Sequence, residues 1–121
     1  MNEKSTFRVI GICYNDTKYF KSNNGLYAYV VLVVKTETKN RYIPITAYGD
    51  KADLLIRLAR NGNLVAVSGY IDSSEMFDKS KGLSQIRISF VMEDIMVLSK
   101  MSKTRLTDKR IDELLDIFNL E

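Results

Sequence analysis

The sequence predicts an all-β chain built around one small core and interrupted by a single helix. Three observations carry that prediction. Residues 41–48 alternate strictly, with Ile43, Ile45 and Ala47 pointing one way and Tyr42, Pro44, Thr46 and Tyr48 the other, the pattern of a strand with one buried face. Residues 26–35 form the most strongly β-forming stretch in the chain. Inside this strand-rich body, only residues 50–60 change period: Leu54, Leu55 and Leu58 recur at helical spacing. At 121 residues and 45% apolar, the chain suffices for one domain with a real core and leaves little room for a second.

Each element follows in order. Residues 1–5 read as a loose end. Residues 6–14 read as a first strand, with Phe7, Val9, Ile10 and Ile12 as its apolar members and Cys13 as a small core residue. Residues 15–25 are polar, interrupted by Tyr19 and Phe20, and read as a loop or short irregular strand closed by an Asn23-Asn24-Gly25 turn. In residues 26–35, Ala28, Val30, Leu32 and Val34 take the core face, which turns Tyr27, Tyr29, Val31 and Val33 outward. A polar hairpin loop at 36–40 leads into the third strand. Asp50 is placed to cap the helix, which ends at Asn61-Gly62. Residues 64–72 read as the fourth strand, 73–82 as a charged flexible loop holding Met76 and Phe77, and 83–98 as a long fifth strand broken near Glu93-Asp94. Phe7, Phe90, Met92, Met96 and Met101 are assigned to core or interface gaps. Residues 1–100 thus form the domain. Residues 101–121 form a linker and a short acidic helix or tail, with Ile111, Leu114, Leu115 and Phe118 as its stripe.

Composition excludes several functions. Histidine is absent, which removes the usual general base, the commonest zinc ligand and every Ser-His or Cys-His pair. The glycines form neither a Walker nor a dinucleotide pattern. No catalytic, metal or cofactor site is expected. The longest apolar run, 30–34, cannot span a bilayer, and residues 1–7 lack the apolar run of a signal peptide. These features, with one unpaired cysteine, predict a cytoplasmic protein without membrane contact. All 18 basic residues precede residue 111, against eleven acids, while the last eleven residues hold four acids and no base. A body of +7 suggests a polyanionic partner, and a tip of −4 suggests a basic one, the body itself included.

Five strands with one helix between the third and fourth is the order of the OB-fold, a small Greek-key barrel, and the order alone also admits other small barrels. Particular residues point the same way. The run from Tyr42 through Ile-Pro-Ile-Thr-Ala to Tyr48, Gly49, Asp50 and Lys51 resembles the aromatic-Ile-Pro…aromatic-Gly-Lys segment of bacterial and phage single-stranded DNA-binding proteins. The run from Gly62 to Ile71 is similar to that family's Gly-x-x-Val-x-Val-x-Gly-x-Leu strand. Residues 16–25 match the spacing of its Asp-Pro-Glu…Asn-Gly loop, with Thr17 where proline is usual, and residues 91–98 resemble its closing strand.

The resemblance implies an OB-fold that assembles as a homotetramer and wraps single-stranded DNA without sequence preference in replication or recombination. It puts Tyr42 and Tyr48 on the two aromatic sites of the third strand, Met76 or Phe77 on that of the loop after the fourth strand, and Arg8 on the basic site of the first strand. Tyrosine stands where tryptophan is common, and Asp72 where a basic residue is usual. The long Gly-rich linker is missing. Asp112, Glu113, Asp116 and Phe118 give an acidic-apolar echo of the family's tip, a candidate contact for replication or recombination proteins. A compact chain of this kind fits a phage or plasmid product in a bacterial host.

Physically, exposed rings hold bases of any sequence, and cations follow the phosphates. Tyr42, Tyr48, Tyr27, Tyr29, Tyr70 and Phe77 are the candidate rings, each with a competing role as cover at a subunit interface. Arg8, Lys18, Lys21, Lys35, Arg41, Lys51, Arg57, Lys79, Lys81 and Arg87 are the candidate cations. Two other functions fit the same chain: an OB-fold accessory factor of a primosome or helicase acting mainly through protein contacts, and an enzyme subunit or protein-interaction barrel with no nucleic-acid role.

Overall fold

The computed structural model describes residues 5–100; the expected acidic helix, with Asp112, Glu113, Asp116 and Phe118, lies outside the described residues. The order is β1 (Thr6–Cys13), β2 (Lys18–Ser22), β3 (Gly25–Lys35), β4 (Asn40–Tyr48), α1 (Asp50–Leu58), β5 (Leu64–Asp78) and β6 (Leu83–Ser99). Neighbours run β1-β5-β6-β4-β3, and β3 returns to β1 through Ile12↔Val33 and Cys13↔Leu32. Five strands therefore close into an OB-fold barrel, with β2 added on the free half of the β3 edge. The seam between β4 and β6 is parallel and only two pairs long, Ile45↔Phe90 and Thr46↔Val91. The Thr46 hydroxyl spans it, donating to the Phe90 carbonyl at 3.4 Å.

The core is the inward parity of these strands: Ala28, Val30 and Leu32 from β3, Ile45 and Ala47 from β4, Val65 and Val67 from β5, and Met92 from β6. Ala52, Leu55 and Ala59 come from the helix and its end. Phe7 and Phe90 meet edge to face at 5.4 Å against this cluster. Cys13 is fully buried. Burial, then the Asp16 carboxylate, pushes its thiol up to about 12, against a smaller opposing backbone hydrogen bond, so it is a neutral core side chain.

Four expectations are corrected. The polar stretch after β1 contains a sixth strand, β2, whose five residues are all exposed; it has no buried face to produce an alternating pattern and is held by its ladder to β3. Residues 73–78 are strand, not loop: β5 and β6 pair continuously out to Asp78↔Leu83, and only 79–82 turn. The final strand is not broken; near Glu93 it carries a bulge, since Ser68 pairs with Asp94 and Gly69 with Met92. Asp50 does not cap α1. Gly49 does, at φ 60°, a left-handed conformation that glycine adopts without a Cβ penalty, and Asp50 and Asp53 sit in the first turn, where carboxylates favour the positive end of the helix dipole.

The residue that departs from the family loop has a structural task. Thr17 is buried. Its hydroxyl lies 2.8 Å from the Ala59 carbonyl and 3.4 Å from that of Leu55, and its one proton goes to the nearer. Asp16 accepts the Asn61 backbone N–H at 2.9 Å and lies 3.6 Å from the Arg60 guanidinium. The chain entering β2 is thereby pinned to the end of α1, satisfying the Ala59 carbonyl that the helix terminus leaves open.

Beyond Tyr70 and Val91, β5 and β6 leave the barrel as a two-stranded arm. Register divides the arm into two faces. Ile71, Phe77, Ile86 and Ile88 share one with Ser73, Glu75 and Ser84; Asp72, Ser74, Met76, Leu83, Gln85 and Arg87 share the other. Among the described residues no helix is long and apolar enough to cross a membrane.

Candidate nucleic-acid interface

The outward parity of β3 and β4 is a tyrosine wall. Register sets Tyr27 beside Tyr48, Tyr29 beside Thr46, Val31 beside Pro44 and Val33 beside Tyr42. Tyr42 and Tyr48 are 51% and 52% exposed, so neither lies inside the barrel. Six residues of strand separate them by about 20 Å. Val33 breaks the expected pattern: it is wholly buried despite outward parity, at the point where β1 and β4 both pair with it.

Each end of the wall has its own ring cluster. Tyr42 meets Tyr14 edge to face at 5.4 Å. Tyr48 lies 5.4 Å from Tyr27, which is 6.2 Å from Tyr29. Phe20 lies 6.4 Å from Tyr27 and 6.3 Å from Tyr29, its ring tilted only 28° and 16° from theirs. Burial among these neighbours, with the Tyr48 and Tyr29 phenols, raises the pKa of Tyr27; the Arg87 guanidinium opposes the shift. Arg87 shares the parity of Val91 on β6, and Val91 pairs with Thr46 of the wall.

The structure gathers some of the expected cations here and spreads others. Lys18 stands opposite Tyr29 on β2. Lys35 shares the outward parity of the tyrosines, two residues beyond Val33. Lys51 lies in the first turn of α1, three residues after Tyr48, and is exposed. Arg41 is exposed at the start of β4 but on the parity opposite Tyr42. Lys79 and Lys81 lie in the turn at the arm tip.

Arg8 and Tyr70 lie on β1 and β5, across the β4–β6 seam from the tyrosines of β3 and β4. Arg8 is in a row with Ser68 and Asp94 across β1, β5 and β6, in a shallow recess also lined by Glu93. Tyr70 is half-buried on β5 beside Thr6 and Val91. Phe77 is 63% exposed, but register puts it on the arm face opposite Arg87, whereas Met76 shares the Arg87 face. Of the two candidates in that hairpin, Met76 is the one on the side of the wall.

Phe20 and Tyr14 were not among the expected rings. Phe20 was legible in hindsight: Asn23-Asn24 is a two-residue hairpin turn, and counting back from it sets Phe20 opposite Tyr27. Tyr14 follows the last residue of β1 and shows no such signal. Among the described residues, no group of three or more His, Cys, Asp or Glu could hold a metal. The arrangement offers π-faces and a cationic margin.

No protein-family model matches the sequence, and no curated protein does. Solved structures match its fold. The mitochondrial single-stranded DNA binding protein of S. cerevisiae superposes with a TM-score of 0.69 at 19% identity, covering 83% of this chain and 100% of its own. The SSB of Plasmodium falciparum, solved in complex with ssDNA, superposes with a TM-score of 0.65 at 19% identity, covering 82% of this chain and 100% of its own.

Proposed function

We propose that this chain binds single-stranded DNA without sequence preference and performs no catalysis. The observation that carries this reading is the pair Tyr42 and Tyr48, half-exposed on one face of β4, each in a ring cluster and with Lys18, Lys35, Lys51 and Arg87 about the wall. Every base has a π-face, so such rings hold a strand whatever its sequence, at about 1–3 kcal/mol per stacked base. The two similar folds belong to proteins named for single-stranded DNA binding, one of them solved with its ligand.

Tyr42→Ala and Tyr48→Ala, each folded as the parent, are expected to weaken oligo(dT) binding by about fivefold or more. Affinity is also expected to fall with salt, with a logarithmic slope of about −0.7 per phosphate neutralised. Unchanged affinity in both variants would contradict the reading.

A role in replication or recombination, in the cytoplasm of a bacterial host, is part of the proposal. So is homo-oligomerisation, with a tetramer favoured: Met96 and Leu98 leave apolar surface on β6 exposed, away from the tyrosines, and a second copy would cover it. Sedimentation with and without oligo(dT) tests both assembly and binding. The accessory-factor reading is favoured by the apolar arm face of Ile71, Phe77, Ile86 and Ile88. Titration by oligonucleotide length separates the two, since wrapping needs long strands and an accessory factor does not.

A further inference from the structure

The β2 strand has no evident task in the fold. All five of its residues are exposed, and Tyr27 and Tyr29, which its outer face meets, point away from the core. Yet β2 is held firmly. It is pinned at one end by Thr17 and Asp16 to the α1 terminus, laddered along its length to β3, and closed by a turn in which the Asn24 N–H donates to the Ser22 hydroxyl at 3.2 Å.

What this strand displays is Phe20, 59% exposed, a ring without a polar group. Phe20 is not a scattered exposed ring but part of a contiguous set with Tyr27, Tyr29 and Tyr48, and contiguous apolar surface of this kind marks a binding site. The near-parallel relation of Phe20 to Tyr27 and Tyr29 continues the ring set from Tyr48 across β3 to β2. This line runs across the strands, whereas Tyr42 and Tyr48 lie along one. Its flanks are cationic: Lys18 stands opposite Tyr29, and Arg87 acts on Tyr27. Flat apolar faces with cationic flanks suit a polyanion that carries flat groups, which an unpaired nucleic-acid strand is. An apolar protein partner would leave those charges without counterparts.

We propose that β2 supplies a second stacking subsite. Phe20, with Tyr27 and Tyr29, takes unpaired bases beyond those on Tyr42 and Tyr48, and Lys18 meets their phosphates. The bound strand then turns at Tyr48 and leaves the barrel across β3 and β2. This inference rests on the single-strand reading above and adds a path and a residue to it.

The test compares the full-length chain with Phe20→Leu, which keeps apolar bulk and removes the π-face, and with Tyr48→Ala. Each is titrated at fixed salt with dT oligonucleotides of about 6 and about 16 nucleotides, the range of OB-fold site sizes. Melting temperatures serve as the check on folding. The proposal expects Phe20→Leu to weaken the longer oligonucleotide by about fivefold or more and to leave the shorter one unchanged, while Tyr48→Ala weakens both. If Phe20→Leu affects neither length while Tyr48→Ala weakens both, the subsite is overturned and the single-strand reading stands. If Phe20→Leu weakens both lengths equally, the proposed exit path is overturned. If neither variant changes any affinity, the underlying reading falls with it. A Phe20→Leu variant that loses self-association but no DNA affinity would assign the ring to a protein contact and overturn the subsite.

Discussion

The same two strands serve two regions of unlike character. In the barrel, β5 and β6 hold Val65, Val67 and Met92 out of water; in the arm, from residue 71 of β5 and up to residue 88 of β6, nearly every side chain is exposed. Pairing runs through both, shifting register only in the barrel part. A hydrogen-bonded ladder therefore forms without a core beneath it, but a two-stranded ribbon alone is marginal in water. The arm takes its order from the barrel strands that feed it. The tyrosine wall lies between these extremes: its backbone is barrel, and its side chains are displayed like those of the arm.

The sharpest way to break the comparison is at the junction. At Gly69, the last buried residue of β5 before the arm, an added Cβ would fall 1.8 Å from the Val91 carbonyl oxygen. Gly69→Ala is expected to cost about 3 kcal/mol, at the upper end of overpacking effects, read as a lower denaturation midpoint. A variant as stable as the parent would contradict the bulged packing there. Next comes Thr17→Val, which leaves the Ala59 carbonyl without its donor and is expected to cost about 1–3 kcal/mol. Chemical denaturation measures it. A neutral result would mean that β2 is not anchored through this hydroxyl.

Phe77→Ser, in the arm, is expected to change stability by no more than about 0.5 kcal/mol, even though a ring is lost. A large effect would show that the arm face is packed. The smallest effect concerns pH. The folded pKa of Tyr27 is raised above its ordinary 10.0, so its contribution to stability is full below pH 10 and is lost as pH rises through the folded value. Spectrophotometric titration should show a component that ionises above the ordinary tyrosine value, and Tyr27→Phe should remove it.

Where side chains alternate around a core, the sequence was readable. Tyr42 and Tyr48 opposite Ile43, Ile45 and Ala47, and Ala28, Val30 and Leu32 on the inner side of β3, sit on the expected faces because burial selects apolar residues at every second position. The Glu93-Asp94 interruption was also visible, because two acids cannot continue a buried run; it takes the form of a bulge. Where nothing is buried, alternation has no cause: the β2 stretch reads as a loop or short irregular strand, and residues 73–78 read as loop. Asp50 illustrates a competition between signals: a good capping residue stands beside a glycine that the turn geometry requires, and the turn decides. For the candidate site, residue type identified the rings, but only register sorted them. Phe20 joins Tyr27, while Phe77 and Arg8 stand away from the wall, because cross-strand neighbours are set by pairing between distant segments.

The central claim is that bases lie on the rings of the β3 and β4 wall. With seven tyrosines and no tryptophan, the chain's intrinsic emission comes from its phenols. Titration with oligo(dT), followed by tyrosine fluorescence, tests the claim most directly. The account predicts saturable quenching, and a Tyr42→Leu/Tyr48→Leu double variant that keeps the parent's fold while losing both the affinity and most of the quenching. Binding of undiminished affinity in that double variant, with the same quenching as the parent, would contradict it.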